Sequence, residues 1–435
     1  MSLSYSAQVV LAGVSLLGVA GGVVGSFALL RRQSLLSDAL AHAALPGVCV
    51  AFLLTESKSS LPLLVGALVS GLLGTLAVTT LVRRSRLKAD SAIGVVLSVF
   101  FALGIVLLTR IQKLPLGNQS GLDKYLFGQA ATLMPRDVAT IGALTAVVLL
   151  LVAFFYKELK LLCFDREFGA SLGWPMRRIE LLLVFLLVTV VVVGLQAVGV
   201  VLMVAALITP AAAARQWTDR LSTLLLLAAA IGGGVGVAGT LISASWANAP
   251  TGPAIVVVSS AVLVVSLLFA PRRGLVWARL RARALARRIR RENLLKDLYL
   301  EGERRAAPGA LVGWSDLMGQ RGQGRRRLSA LARSLAASGL LARGSEGVRL
   351  TAEGEAAARE LVRRHRLWEV YLARRLELPL DHVHRDAEVM EHALTESAVA
   401  ELEELLGWPE RDPHGRPIPR RQGLAAPPSP LRGAA

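Results

Sequence analysis

Two sets of side chains in this sequence have the types and spacing to hold a metal ion. Asp38 and His42 are four residues apart, hence on one face of a helix, inside the apolar stretch from Arg31 to Thr55. An ionised carboxylate at the bilayer centre costs roughly 2.5 to 3.5 kcal/mol on insertion scales, so such a residue normally faces a bundle interior and serves a function there. The second set lies near the C-terminal end. His365 and Glu369 stand at i and i+4, and HVHRDAEVMEHAL then supplies His384, Glu388, Glu391 and His392. There the i, i+3 and i+4 spacing brings Glu388, Glu391 and His392 to one side of a helix. Oxygen and nitrogen donors without thiolate suit Mn(II) or Fe(II) better than a structural zinc. Each set also has a plainer reading: a buried hydrogen bond between helices for the first, a surface helix laced with ion pairs for the second. No convincing nucleophile and base arrangement stands out, so an enzyme is the least supported class. No G-x-x-x-x-G-K-[ST] phosphate loop occurs, so any ATP-driven motion would come from another subunit.

The elements that must position the first set are membrane spans. With 54% hydrophobic residues and a mean hydropathy of +0.54, the chain is too apolar for an ordinary soluble protein. Long apolar runs continue to about residue 270, and Arg, Glu and His dominate beyond it, so at least two domains face different solvents. A span needs about 20 apolar residues, and nine candidates fall near 6–30, 33–54, 61–82, 91–109, 137–156, 179–194, 196–214, 220–243 and 253–270. The continuous run from Ile179 to Ala214 is long for one helix and short for two. The positive-inside rule places the basic clusters at Arg31 and Arg32, Arg83 to Lys88, Lys157 to Arg178, Arg215 and Arg220, and from Arg272 onward in the cytoplasm. That requires an even number of crossings between Arg178 and Arg215, hence two short spans meeting near Gly194 to Gly199. The N-terminus is then outside and the C-terminal part inside, with Arg110 to Arg136 outside despite its basic residues. The first run is long and lacks a basic n-region, which marks a retained span rather than a cleaved signal. Glycine is dense at 18–25, 66–74 and 232–239, where small residues would let helices approach. Cys49 and Cys163 are the only cysteines and imply no disulfide framework.

Beyond the last span, PRRGLVWARLRARALARRIRRENLL is a basic helix that anionic lipid would attract. Helical segments then continue through Glu292 to Gly302, Ser315 to Gln320 and Arg325 to Ser338, followed by a two-stranded ribbon around Gly344 to Gly347. Helix, helix, turn, helix and ribbon is the winged helix-turn-helix order, in which basic residues at the start of the last helix meet DNA phosphates or bases. Arg325, Arg326 and Arg327 occupy that position, although a solvated basic patch has the same composition. The ending RQGLAAPPSPLRGAA is compositionally disordered.

The stretches SLLSDALAHAALPGV, ADSAIGVVLSVFFALGIVL, LDKYLFGQ, FDREFGASLGWP and LQAVGVVLMVAALITPAAAA, in that order, resemble the metal-ion ABC transporter permeases for manganese, zinc or iron chelate. The resemblance covers roughly residues 10 to 270. It implies the membrane subunit of an importer, working as a homodimer or beside a second permease, with a separate ATPase and an extracytoplasmic metal-binding protein. By it, Asp38 and His42 match the Asp-x-x-x-His pair that the family places on the ion path. The loop holding Asp165, Glu167, Gly169, Gly173 and Pro175 matches the coupling segment that docks on the ATPase.

A second resemblance runs from about Glu292 to Pro419. LTAEGEAAARELVRRHRLWEVYL, VHRDAEVMEHALTE and LGWPERDPHGRPIP are similar to the metal-dependent repressors of the diphtheria toxin repressor type. It implies that His365, Glu388, Glu391 and His392 hold one ion and that Glu369 and His384 match a second site of some members. The ion would be Mn(II) or Fe(II) ahead of Zn(II), and operator DNA becomes an expected partner. The first helix of that family contributes ligands where this chain has Asn293, a weak ligand, and Lys296, none at neutral pH. That departure favours an alternative in which the tail is an autoinhibitory metal sensor that does not bind DNA. The expected fold is an all-α polytopic membrane bundle of about nine spans followed by a cytoplasmic winged helix-turn-helix and a helical metal-binding and dimerisation domain. The expected boundaries are 1–270 for the permease, 271–291 for a basic linker helix, 292–354 for the winged helix, 355–420 for the metal-binding domain and 421–435 for a disordered end. The whole would sit in a bacterial inner membrane with its tail in the cytoplasm.

Overall fold

The computed structural model describes residues 4–56, 60–113, 133–246, 249–321, 324–376, 379, 387–388 and 390–420. His384 and the expected disordered end, 421–435, lie outside the described residues. The chain divides into two compact units, Met1–Ala278 and Arg279–Ala435.

The first unit is helical. Its long helices are α1 (Tyr5–Leu30), α2 (Ser34–Thr55), α3 (Ser60–Arg84), α4 (Ala89–Lys113) and α5 (Pro135–Phe154). Two short helices follow, α6 (Tyr156–Phe164) and α7 (Arg166–Ser171), then α8 (Met176–Val198), α9 (Val200–Trp217), α10 (Leu221–Ser245) and α11 (Thr251–Phe269). Eight helices among the described residues are long and apolar enough to cross a membrane. The ninth expected crossing corresponds to α9, which is only 18 residues long and carries Arg215 in its last turn. The run that was ambiguous by length divides at Gly199, whose φ of +84° suits glycine and ends α8 as α9 begins.

The glycine-rich stretches are where backbones touch. A Cβ added at Gly18 on α1 would meet the carbonyl of Gly232 on α10, and one at Gly232 would meet the carbonyl of Gly18. Gly22 faces the carbonyl of Ala228 in the same way, and Gly25 faces that of Leu207 on α9. Between α2 and α3, Gly47 and Gly66 oppose each other's carbonyls. Helices held this closely gain dispersion and weak Cα–H contacts that do not depend on a hydrophobic effect, which lipid cannot supply.

The second unit contains most of α12 (Leu275–Arg304), so the basic stretch and the first expected helix of the tail are one element. Strand β1 (Val312–Gly313), α13 (Trp314–Arg321), α14 (Arg325–Ala337), β2 (Leu341–Arg343) and β3 (Gly347–Leu350) follow, then α15 (Ala352–Arg375) and α16 (Glu396–Leu406). The strands form one antiparallel sheet in the order β1-β3-β2, with Val312 opposite Val348 and Leu341 opposite Leu350. Leu328, Ala332 and Leu335 bury one face of α14 in a core shared with Leu294, Leu295 and Leu298 of α12, while Arg325, Arg326 and Arg327 at its start are exposed. Helix α15 opens on Thr351, whose hydroxyl accepts from the Gly354 amide at 3.0 Å, and it packs on α16 through Leu367, Val370, Val399 and Leu402.

Candidate metal sites

Helix α2 is apolar on most of its surface, with Leu40, Ala41, Ala44 and Leu45 buried, and Asp38 and His42 interrupt it on one face. The Asp38 Oδ1 to His42 Nε2 distance is 3.6 Å, too long for a hydrogen bond. The imidazole lies edge-on to Phe101 of α4, with centroids 4.7 Å apart. Its buried Nδ1 has no hydrogen-bond partner among the described residues. A carboxylate oxygen and an imidazole nitrogen thus stand side by side without satisfying each other, which is a donor set for a borderline divalent cation.

The segment 164–175 folds as the short helix α7 between two breaks. The Asp165 carboxylate accepts from the Phe168 amide at 2.9 Å and caps it. Gly173, at φ +82°, ends it before Pro175, which caps α8. Gly169 is buried against Leu161 and Met176, whereas Glu167 is exposed. Phe164, Phe168, Leu172 and Trp174 are also exposed, an apolar surface on a polar turn. Glu180 of α8 ties this segment to the entry of α2, since it accepts from Arg166 and from Arg31, each at 2.8 Å.

In the tail, His365, Glu391 and His392 of the expected set lie together, each nitrogen partner within 3.5 Å of the Glu391 carboxylate. Glu391 is fully buried, and its carboxylate accepts from Lys296 Nζ of α12 at 2.7 and 2.9 Å and lies 2.6 Å from His365 Nδ1. The other nitrogen of His365 faces Glu369 at 3.2 Å. Burial alone would lower the His365 pKa, but its bonds to Glu369 and Glu391 outweigh it and hold the imidazole above its ordinary value. Burial pushes Glu391 the other way as well, yet the His365 bond and the Lys296 charge hold it below the usual carboxylate range. His392 bonds chiefly to α12, with Nδ1 at 2.6 Å from Glu292 and Nε2 at 3.0 Å from Asn293, and the same Nε2 lies 3.5 Å from Glu391. Glu388 is exposed.

A separate group forms around the far oxygen of Glu369. One donor atom each from Glu369, Asp412 and His414 lie within 4.8 Å of one another. Asp412 is held by the amides of His414 and Arg416, at 2.9 and 2.8 Å, in the turn that closes the Arg411–Pro417 bridge. In the sequence the stretch ERDPHGRP carries its acid and imidazole two residues apart with no periodicity to mark them, and Lys296 is identifiable only as a residue that cannot bind metal.

The two groups differ in their fit to a divalent ion. Glu369, Asp412 and His414 offer oxygen and nitrogen donors, and the chemistry fits Mn(II), Fe(II) or Zn(II). Glu391 and His365 do not fit while Lys296 is in place. A divalent ion within about 4 Å of the ammonium would be repelled by roughly 8 kcal/mol at an effective dielectric of 20.

Residues 4–270 match the ABC 3 transport family. Residues 351–420 match the iron dependent repressor, metal binding and dimerisation domain. The chain is 47% identical over 297 residues to a manganese transport system membrane protein of Bacillus subtilis, with 68% of each chain covered. It is 48% identical over 282 residues to a zinc transport system membrane protein of Treponema pallidum, covering 65% of this chain and 95% of that one. A probable metal transport system membrane protein of Chlamydia trachomatis is 32% identical over 437 aligned positions, with 94% of this chain and 95% of the relative covered.

Proposed function

The chain belongs to the ABC 3 transport family, a multi-pass membrane transport subunit rather than an enzyme, and from that premise we propose that it passes a divalent transition-metal ion inward beside Asp38 and His42. The observation that carries this reading is the Asp38 and His42 pair, 3.6 Å apart on one face of an apolar helix, with a buried imidazole nitrogen left open. The ion is cargo there. One carboxylate and one imidazole suit Mn(II), Fe(II) or Zn(II), and near-equal similarity to relatives named for manganese and for zinc does not choose between them. Energy would come from a separate ATPase docking on the exposed apolar side chains of 164–175, with Glu180 passing its movement through Arg166 and Arg31 to the start of α2. An extracytoplasmic metal-binding protein would deliver the ion, and a second permease, identical or not, would complete the path.

The test is uptake into vesicles holding this chain with a partner ATPase and an extracytoplasmic binding protein. Accumulation of Mn(II) that requires ATP and is competed by Fe(II) is expected. Uptake at the same rate without ATP would overturn the importer reading.

The tail is proposed to be a cytoplasmic regulator that takes the same ion at Glu369, Asp412 and His414. A bound ion would supply charge at the contact of α15 with the 411–417 turn, and these three residues would hold it. Residues 292–354 read as a winged helix-turn-helix, and the exposed Arg325, Arg326 and Arg327 at the start of α14 support contact with operator DNA. The basic face of α12 suits anionic lipid. A gel shift of the detergent-solubilised chain on DNA upstream of its own reading frame is expected to show a complex that weakens steeply with salt. No shift with or without Mn(II) would leave the tail as an autoinhibitory sensor instead.

A further inference from the structure

Helix α12 turns three polar side chains toward the C-terminal helices, Glu292, Asn293 and Lys296, at i, i+1 and i+4. Lys296 is nearly fully buried, and its ammonium donates to both oxygens of Glu391. Nζ also lies 3.3 Å from His365 Nδ1, which faces the same carboxylate. The partners come from segments 69 and 95 residues further along the chain, so these bonds join the first helix of the tail to its last helices. One turn earlier, His392 is bonded to Glu292 and Asn293 and fastens the same helix a second time.

A cation placed between Glu391 and His365 does two things. Together with the His365 bond it offsets the charge of a carboxylate at 0% exposure, and it bridges α12 to α15. A divalent ion bound by the same donors would do both reversibly, according to its free concentration. An ammonium on the chain does both at a local concentration that no change in cellular metal can alter.

We propose that Lys296 is a tethered cation standing where a metal ion would bind Glu391 and His365, so that α12 stays fastened to the C-terminal helices with or without metal. The winged-helix part is then held in one setting relative to α15. A metal response, where the tail has one, arises among the described residues at Glu369, Asp412 and His414. Only this last consequence rests on the proposed regulatory function; the tether stands on the bonds themselves.

Two measurements on the full chain in detergent test it. Lysine acylation read by mass spectrometry is expected to modify Lys296 at least tenfold more slowly than the exposed Lys157 and Lys160, at the same rate with and without Mn(II). Faster labelling of Lys296 on adding Mn(II) would mean that the ion displaces it, and would overturn the proposal. Counting bound Mn(II) gives the second measurement. Lys296→Glu is expected to bind one more ion per chain than wild type, and adding Glu391→Gln to that variant should remove it. Loss of one ion on introducing Glu391→Gln alone into the wild-type chain would overturn the tether. Should Lys296→Glu not fold, the wild-type footprint decides by itself. Neither readout involves uptake or DNA, so failure of those readings is separately visible.

Discussion

Asp38→Ala is expected to cut ATP-driven Mn(II) uptake at least tenfold while the chain still inserts and still supports ATP hydrolysis by its partner. The carboxylate is the only acidic group in the apolar body of α2, and its helix is otherwise lined with buried Leu and Ala. Nothing in the helix needs a charge there for packing. His42 is too far from it for a hydrogen bond, so removing Asp38 breaks no hydrogen bond between the two. What is lost is the negative charge that α2 would offer to a dehydrated divalent ion on the proposed path. A tenfold fall corresponds to about 1.4 kcal/mol of barrier, a small part of what such a ligand contributes in a desolvated site. Asp38→Asn keeps the volume and one oxygen and is expected to fall between the two. Uptake by Asp38→Ala at the wild-type rate would remove the pair from the ion path.

Arg366→Ala is expected to destabilise the tail by about 3 kcal/mol, the lower end for breaking a buried ion pair by removing one partner. Its guanidinium is 2% exposed and donates to both oxygens of Glu303 at 2.6 and 3.2 Å and to the Pro417 carbonyl at 2.6 Å. It also lies 3.7 Å from Asp412. Glu303 is partly open to water and can be resolvated, which is why the low end applies. Asp412 is 2% exposed and has no such escape. The measurement is amide hydrogen exchange along α15 in the full chain, where roughly a hundredfold faster exchange is expected. Arg366→Lys keeps the charge but not the planar fork and should recover only part of the loss. Unchanged exchange in Arg366→Ala would mean that the C-terminal turn is held by something other than this residue.

The membrane helices were legible because each is a run of about 20 apolar residues, and length alone separates such runs from anything soluble. The division at Gly199 required charge as well as hydropathy, since the apolar run gives no sign of it. Helix α9, short and carrying Arg215 in its last turn, is the expected crossing that is not among the eight long apolar helices. In the tail, the order of helices and ribbon could be read from turn residues and from the amphipathic spacing of Leu328, Ala332 and Leu335. The partners of the buried histidines could not. Spacing of i and i+4 says that His365 and Glu369 share a face, but not that Lys296, from a helix far earlier in the chain, is what that face meets. Asp412 and His414 sit in a turn, where no periodicity marks a face. Lys296 is the instructive case: its type excludes it as a ligand, and the same charge makes it a counter-ion to Glu391.

The glycine seam of α1 has a mechanical consequence. Where Gly18 meets Gly232 and Gly22 meets Ala228, backbone lies on backbone with no side chain between them to change rotamer and absorb a shift. Sliding one helix past the other by a single residue, about 1.5 Å of rise, would drive a larger side chain into a carbonyl. The contact with α9 adds a third member, where Gly25 meets both the carbonyl and the side chain of Leu207. These three helices therefore have no gear between locked and separated. They are expected to move as one rigid block in a transport cycle, so that a gap admitting and releasing the ion would open along the seams they do not share.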